Sequence, residues 1–255
     1  MKMFLILVLV FCTNVFADKL KSASYGNNVT YTKLLLSNPM YLPERAKKLG
    51  EKQEYIKSIN MFADGELILK IKITPYLSRN PLIKLAQKNI DAKKLSLEYV
   101  DNYEKVKKFE AKIRRRKRDF EFKEYEKVIY TPSLRVSEKI EDAKLGEIAE
   151  IFGDVKFFEK DMYINVPELA SNGGSVPLII RPNVDVKSLS VFTTMDNEMK
   201  LVCRFFPQEK YNILEYNLKF KMKASSFVQV IIEGKDGKSY RLKKYISISL
   251  GGGDQ

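Results

Sequence analysis

Every second residue is apolar along much of this chain. Leu67, Leu69, Ile71 and Ile73 alternate with Ile68, Lys70 and Lys72, and Leu214, Tyr216, Leu218, Phe220 and Met222 alternate with Glu215, Asn217, Lys219 and Lys221. A period of two sends successive side chains to opposite faces, so each run predicts a strand with one buried and one wet face. Val29–Leu36, Leu95–Tyr99, Met162–Val166, Val176–Arg181, Leu189–Thr194, Leu201–Phe206, Phe227–Glu233 and Tyr240–Leu250 carry the pattern less regularly. Asp64-Gly65 and Asp236-Gly237 lie between such runs and suit hairpin turns. Short strands separated by turn residues predict an all-β chain of two immunoglobulin-like antiparallel β-sandwich domains, each of about 100 residues.

The middle of the chain breaks the pattern. Arg114, Arg115, Arg116, Lys117 and Arg118 form a like-charge run that repels itself. Between Ser137 and Gly153 the spacing turns helical: Ile140, Ala143, Leu145, Ile148 and Ile151 share a face, with Ser137 as N-cap and Gly153 as stop. The expected organisation is a leader over 1–17, a sandwich over 24–113, a charged connector over 114–136, and a second domain over 137–255 that opens on the short helix and ends in a glycine-rich tail. A solvated connector is the first reading of the basic run; a processing site and an anion-docking patch are the others. Glu147 and Glu150 have the spacing of a wet helix face, and nothing marks them as an acid–base pair.

Composition narrows the chemistry. The 255 residues are 45% hydrophobic, enough for packed cores, and include no histidine, so no imidazole can act as base or metal ligand. Lys2, the apolar run Phe4–Phe11 and the stretch Asn14–Ala17 read as a secretory signal cleaved after Ala17; Phe11 before Cys12 does not suit lipidation. Loss of that leader removes Cys12 and leaves Cys203 as the one thiol, so no internal disulfide is expected. The formal charge of +13 comes from lysines and arginines scattered over the chain apart from the central run, and is read as solvated strand faces, not a nucleic-acid footprint. No other segment is long and apolar enough to span a membrane.

From Met162 the second half runs through Asn165, Pro167, Glu168, Ala170, Asn172, Gly173, Val176 and Pro177, followed by Val191-Phe192, Val202–Phe205, Gly237–Tyr240 and Ile248–Gly253. This order of strand, Pro-Glu, small residue, Asn-Gly, Val-Pro and terminal glycines resembles SoxY, the sulfur-binding subunit of the bacterial thiosulfate-oxidising system. The first half, over about 24–113, is similar to SoxZ. Val29–Leu36 precedes Ser37, Asn38, Pro39 and Met40, with Asn38 where that family usually has histidine; Ile56–Phe62, Asp64-Gly65 and Ser78–Pro81 follow in the family's order. The resemblance implies a pair of immunoglobulin-like sandwiches joined in one polypeptide, residence in the periplasm, no cofactor, no enzymatic activity of its own, and sulfur-oxidation or periplasmic redox enzymes as partners. The halves would pair within the chain or between two copies.

One departure matters. SoxY ends in Gly-Gly-Cys-Gly-Gly, whose cysteine holds the sulfur substrate covalently on a side-chain-free arm. This chain has Gly251, Gly252 and Gly253 followed by Asp254 and Gln255, so Gly253 falls at the cysteine position. The arm remains without its thiol, and the expected role is binding of protein partners or a sulfur species without covalent carriage. Cys203 is the one alternative thiol, but it lies between Leu201 and Phe205 in a strand pattern, where a lone cysteine serves as a small hydrophobe. Two readings stay beside the leading one: a covalent carrier working through Cys203, and an exported immunoglobulin-like structural or adhesion protein.

Overall fold

The structure, a computed structural model, describes residues 18–88, 90–122, 144–160 and 162–249. The expected leader, the first part of the expected helix and the tail glycines Gly251, Gly252 and Gly253 lie outside the described residues.

In the first half, β1 (Lys19–Ser24) and β2 (Val29–Leu35) pair as a hairpin. The short helix α1 (Pro43–Leu49) follows, then β3 (Ile56–Ala63), β4 (Glu66–Ile73), β5 (Leu82–Lys88), β6 (Lys94–Asp101) and β7 (Val106–Arg115). Asp64 and Gly65, at φ 45° and 91°, make the two-residue turn between β3 and β4 that their sequence predicts. The second half opens on α2 (Glu147–Phe152) and three short strands, β8 (Phe157–Phe158), β9 (Tyr163–Asn165) and β10 (Leu169–Ala170). Longer strands complete it: β11 (Val176–Arg181), β12 (Val186–Met195), β13 (Glu198–Pro207), β14 (Asn212–Phe220), β15 (Ser226–Gly234) and β16 (Ser239–Ile248).

These strands form two sandwiches side by side, and both layers run through from one to the other. One layer reads β16-β15-β12-β13-β4-β3-β6-β7, the other β1-β2-β5-β14-β11-β9. The crossings are antiparallel: β13 joins β4 from Cys203↔Ile73 to Pro207↔Leu69, and β14 joins β5 from Asn212↔Lys88 to Asn217↔Lys84. Four strand edges that each half alone would expose are thereby paired. The apolar faces of both layers meet in one core containing Leu34, Ile59, Leu85 and Leu97 of the first half with Leu178, Val191, Leu218 and Val230 of the second. Phe205 and Tyr216 cross it edge to face at 4.9 Å, an arrangement worth about 1 kcal/mol beyond burial.

Three expectations change. Arg114 and Arg115 belong to β7, and residues 116–122 do not hang free as a solvated connector. They lie as a strap on the outer side of the second layer. Gly26 N donates to Arg118 O, Asn27 exchanges two bonds with the Phe120 backbone, and Phe120 packs on Tyr25 and Tyr31 at 5.2 and 5.4 Å. Phe122 then sits beneath the Arg181 guanidinium of β11, 4.7 Å away, so the strap bridges the two halves. The run fails as a free linker because its charge is only one half of the segment's character; the aromatic residues behind it bury themselves. The helix, second, is described only over Glu147–Phe152, where Ile148 and Phe152 cover Phe192, Met199, Leu201 and Ile231. Third, Glu147 is not on a wet face: its carboxylate accepts the Leu201 N–H at 2.9 Å.

Candidate functional site

β16 is the last strand before the glycine-rich tail in the sequence, and the residues around its end are hydrogen-bonded on both sides. Along most of its length β16 pairs with β15, a ladder that begins at Ser226↔Ile246. Past that point Ile248 N donates to Ser225 Oγ at 2.8 Å. On its other edge β10 runs parallel, with Leu169 opposite Ser247 and Ala170 opposite Ile248. Ser247 N donates to Glu168 O at 2.8 Å, and Ser249 N to Ala170 O at 3.1 Å. The segment Pro167–Ser171 therefore holds Ser247–Ser249, the last described residues before the tail glycines. Leu169, between these anchors, is 63% exposed, the most open of the large apolar side chains described.

The same segment ties the tail root to the seam between the halves. Asn172 Oδ1 accepts from Gly174 N at 2.7 Å and shapes the 3-10 turn Gly173–Ser175. The buried Gly173 carbonyl accepts from Met222 N at 2.7 Å. Next to Met222, Lys221 is 2% exposed. Its ammonium reaches into the first half, donating to Met40 O and, at 2.9 Å, to Pro75 O. Met40 is itself held at a positive φ of 50° by Asn38, whose Oδ1 accepts the Met40 N–H and whose own N–H donates to Asn80 Oδ1. The two stretches that carry the sequence resemblance, Ser37–Met40 with Ser78–Pro81 and Pro167–Pro177, thus meet through Lys221.

That contact was not legible in the alternation, which placed Glu215 and Lys221 on a wet face. Both are buried: Glu215 pairs with Arg181 at 2.8 Å, and Lys221 takes carbonyls far away in sequence. A lysine that ends a strand of alternating charges carries no local sign of such partners. Burial pushes the Lys221 pKa down to about 8.

Cys203 sits on β13 at the seam, opposite Ile73, fully buried in the shared core. Burial pushes its thiol pKa up, away from the thiolate that sulfur chemistry needs. Arg204 points to the other face, where it pairs with Glu233 at 2.5 Å and stacks over Phe152 and Phe206. The structure therefore encloses Cys203 in the shared core. Among the described residues no cluster of three or more histidine, cysteine or acidic groups could hold a metal, and no helix is long and apolar enough to cross a membrane.

Comparison with known proteins agrees with this division of the chain. Residues 19–112 match the family described as sulphur oxidation protein SoxZ, and residues 148–253 match sulfur oxidation protein SoxY. A search of curated proteins returns no match. Among solved structures, the sulfur carrier protein SoxY from Chlorobium limicola f thiosulfatophilum is 27% identical with a TM-score of 0.34, covering 40% of this chain and 87% of its own. A superoxide reductase (neelaredoxin) from Ignicoccus hospitalis is 13% identical with a TM-score of 0.32, over 35% of this chain and 81% of its own. The fibronectin(III)-like modules of Clostridium thermocellum CbhA are 9% identical with a TM-score of 0.20, over 91% and 95%. Superpositions of this quality add no weight; the two non-overlapping family matches, which follow the two halves of the fold, do. The chain belongs to the SoxY/SoxZ sulfur-oxidation carrier family, with its SoxZ region ahead of its SoxY region in a single polypeptide.

Proposed function

We propose that this protein is a periplasmic SoxYZ-type docking protein that engages partners or a sulfur species through its tail root without carrying sulfur covalently. Members of its two families are carriers and accessories of sulfur oxidation and not catalysts, and the intramolecular pairing of the halves takes the place of a heterodimer. One observation carries the reading: Ser247–Ser249 is hydrogen-bonded from both sides, and we read the Gly251–Gly253 that follows it in sequence as a carrier arm with Gly253 in place of the thiol. The thiol that the chain does hold, Cys203, is buried in the core. A rigid root followed by Gly251–Gly253 suits entry into a narrow cleft, and exposed Leu169 beside it supplies an apolar contact for the rim of that cleft.

Surface plasmon resonance against purified periplasmic sulfur-oxidation enzymes of the same cell tests this. At least one enzyme is expected to bind, and both Leu169→Asp and deletion of Gly251–Gly253 are expected to weaken it at least tenfold. Absence of binding to any of them, or equal binding by both variants, overturns the proposal.

A further inference from the structure

A second surface, on the first half and independent of the tail root, has the chemistry of a receptor for acidic peptide. β1 and β7 pair in parallel only over Ser22–Ser24 and Ile113–Arg115. Leu20, Lys21, Ala111 and Lys112 lie outside that pairing, and with residues of β2 they line a groove of about 510 Å³. Leu20, Ala23, Tyr31 and Ala111 give it an apolar floor. Its rim carries Lys21, Lys33, Lys112, Arg114 and Arg116.

The rim is cationic throughout. In the β1–β2 register Lys21 faces Lys33, and in the β6–β7 register Lys94 faces Lys112. Like charges opposite each other in a sheet destabilise it, and an anion seated beside Lys21 and Lys33 would relieve that cost. None of the five rim cations has an ion pair with a described residue. Of the nearby carboxylates, Glu110 takes Lys94 at 3.0 Å, and Asp119 lies within the strap with its Oδ1 close to Gly26. The strap closes one side, because Phe120 stacks on Tyr31. Gly26 permits this approach, since a Cβ there would meet Lys117 O at 2.9 Å.

We infer that this groove binds an acidic peptide segment with interleaved apolar side chains, supplied by a partner protein. The volume falls within the range of about 300–1,000 Å³ typical of ligand pockets and exceeds the needs of one small oxyanion. The apolar floor distinguishes it from a plain phosphate-binding patch, and the slot between two strands suits an extended chain. Five cations without an ion pair among the described residues would speed the encounter and make it salt-sensitive. The basic run of the sequence is thereby given one of its alternative roles, as an anion-docking patch.

The test uses the mature chain, residues 18–255, and a fluorescein-labelled decapeptide of alternating glutamate and phenylalanine, read by fluorescence anisotropy. Binding at low salt is expected, at least tenfold weaker in 0.5 M salt, in the double variant Lys33→Glu/Arg114→Glu, and for the same peptide with glutamine in place of glutamate. Should the double variant fail to fold, Lys21→Gln/Lys112→Gln takes its place and is expected to lose at least threefold. Absence of peptide binding, equal binding by the charge variants, or tighter binding of inorganic polyphosphate or phosphatidylglycerol vesicles with the same charge dependence overturns the inference.

Discussion

Lys221 shows how one side chain joins the two halves. Its ammonium is desolvated and, among the described residues, has the carbonyls of Met40 and Pro75 as acceptors and no ion-pair partner. Replacing it with methionine keeps the stem but leaves those acceptors without a donor, and about 1–3 kcal/mol of stability is expected to be lost near neutral pH. The pH dependence has a definite sign. The folded pKa of about 8 lies below the ordinary value of 10.5, so as pH rises the folded protein gives up this proton before the unfolded chain does. The unfolded state then binds more protons, and stability rises. Relative to Lys221→Met, the parent should gain stability between about pH 8 and about pH 10.5 and show no change below pH 7. Urea titrations of both proteins at pH 7 and pH 9.5 check it; a parent that loses ground on the alkaline side would contradict the assignment. Nothing in the sequence announced this role, because the alternation from Leu214 to Met222 assigns Lys221 to water and its partners come from loops of the other half.

At the scale of elements, the tail root rests on few bonds, so each should be measurable. Ser225→Ala removes the acceptor for Ile248 N and is expected to cost about 1 kcal/mol. Hydrogen exchange should speed up at Ser247–Ser249 and not at Val228–Ile232, deep in the sheet. The strap gives a second prediction. Phe120→Ala removes the ring that packs on Tyr25, Tyr31 and Phe122, and the basic run should then be cut by trypsin several-fold faster in the native protein. Unchanged cleavage would mean that the hydrogen bonds to Gly26 and Asn27 alone hold the strap. Legibility in the sequence followed burial. β6 and the Leu69–Ile73 part of β4 are readable because their alternation survives intact. β5 was not: Ile83, Leu85, Ala86 and Gln87 are all buried where β5 is sandwiched between β2 and β14, so the period of two is lost. β7 was overlooked for another reason: Phe109, Ala111 and Ile113 do alternate, but the arginines at its end read as a linker.

At the scale of the whole molecule, the two layers crossing the seam make the halves one folding unit. Separate sandwiches were legible from strand count and turn spacing, and the resemblance to SoxZ and SoxY implied that they pair. The way they pair was not legible, since edge-to-edge registry such as Ile71↔Phe205 is long-range information. Proteolytic cleavage within 123–143 should accordingly leave two fragments that co-elute in native size exclusion and separate only in denaturant; fragments that part in buffer would show that the seam does not hold. The seam also decides the chemistry, because it is where Cys203 is enclosed.

Intact-mass spectrometry of residues 18–255 after incubation with thiosulfate, and separately with polysulfide, tests most directly the proposal that this protein carries no sulfur covalently. The account predicts the unmodified mass in both, for the parent and for Cys203→Ser alike. A thiosulfonate or persulfide increment on the parent that disappears in Cys203→Ser would contradict it.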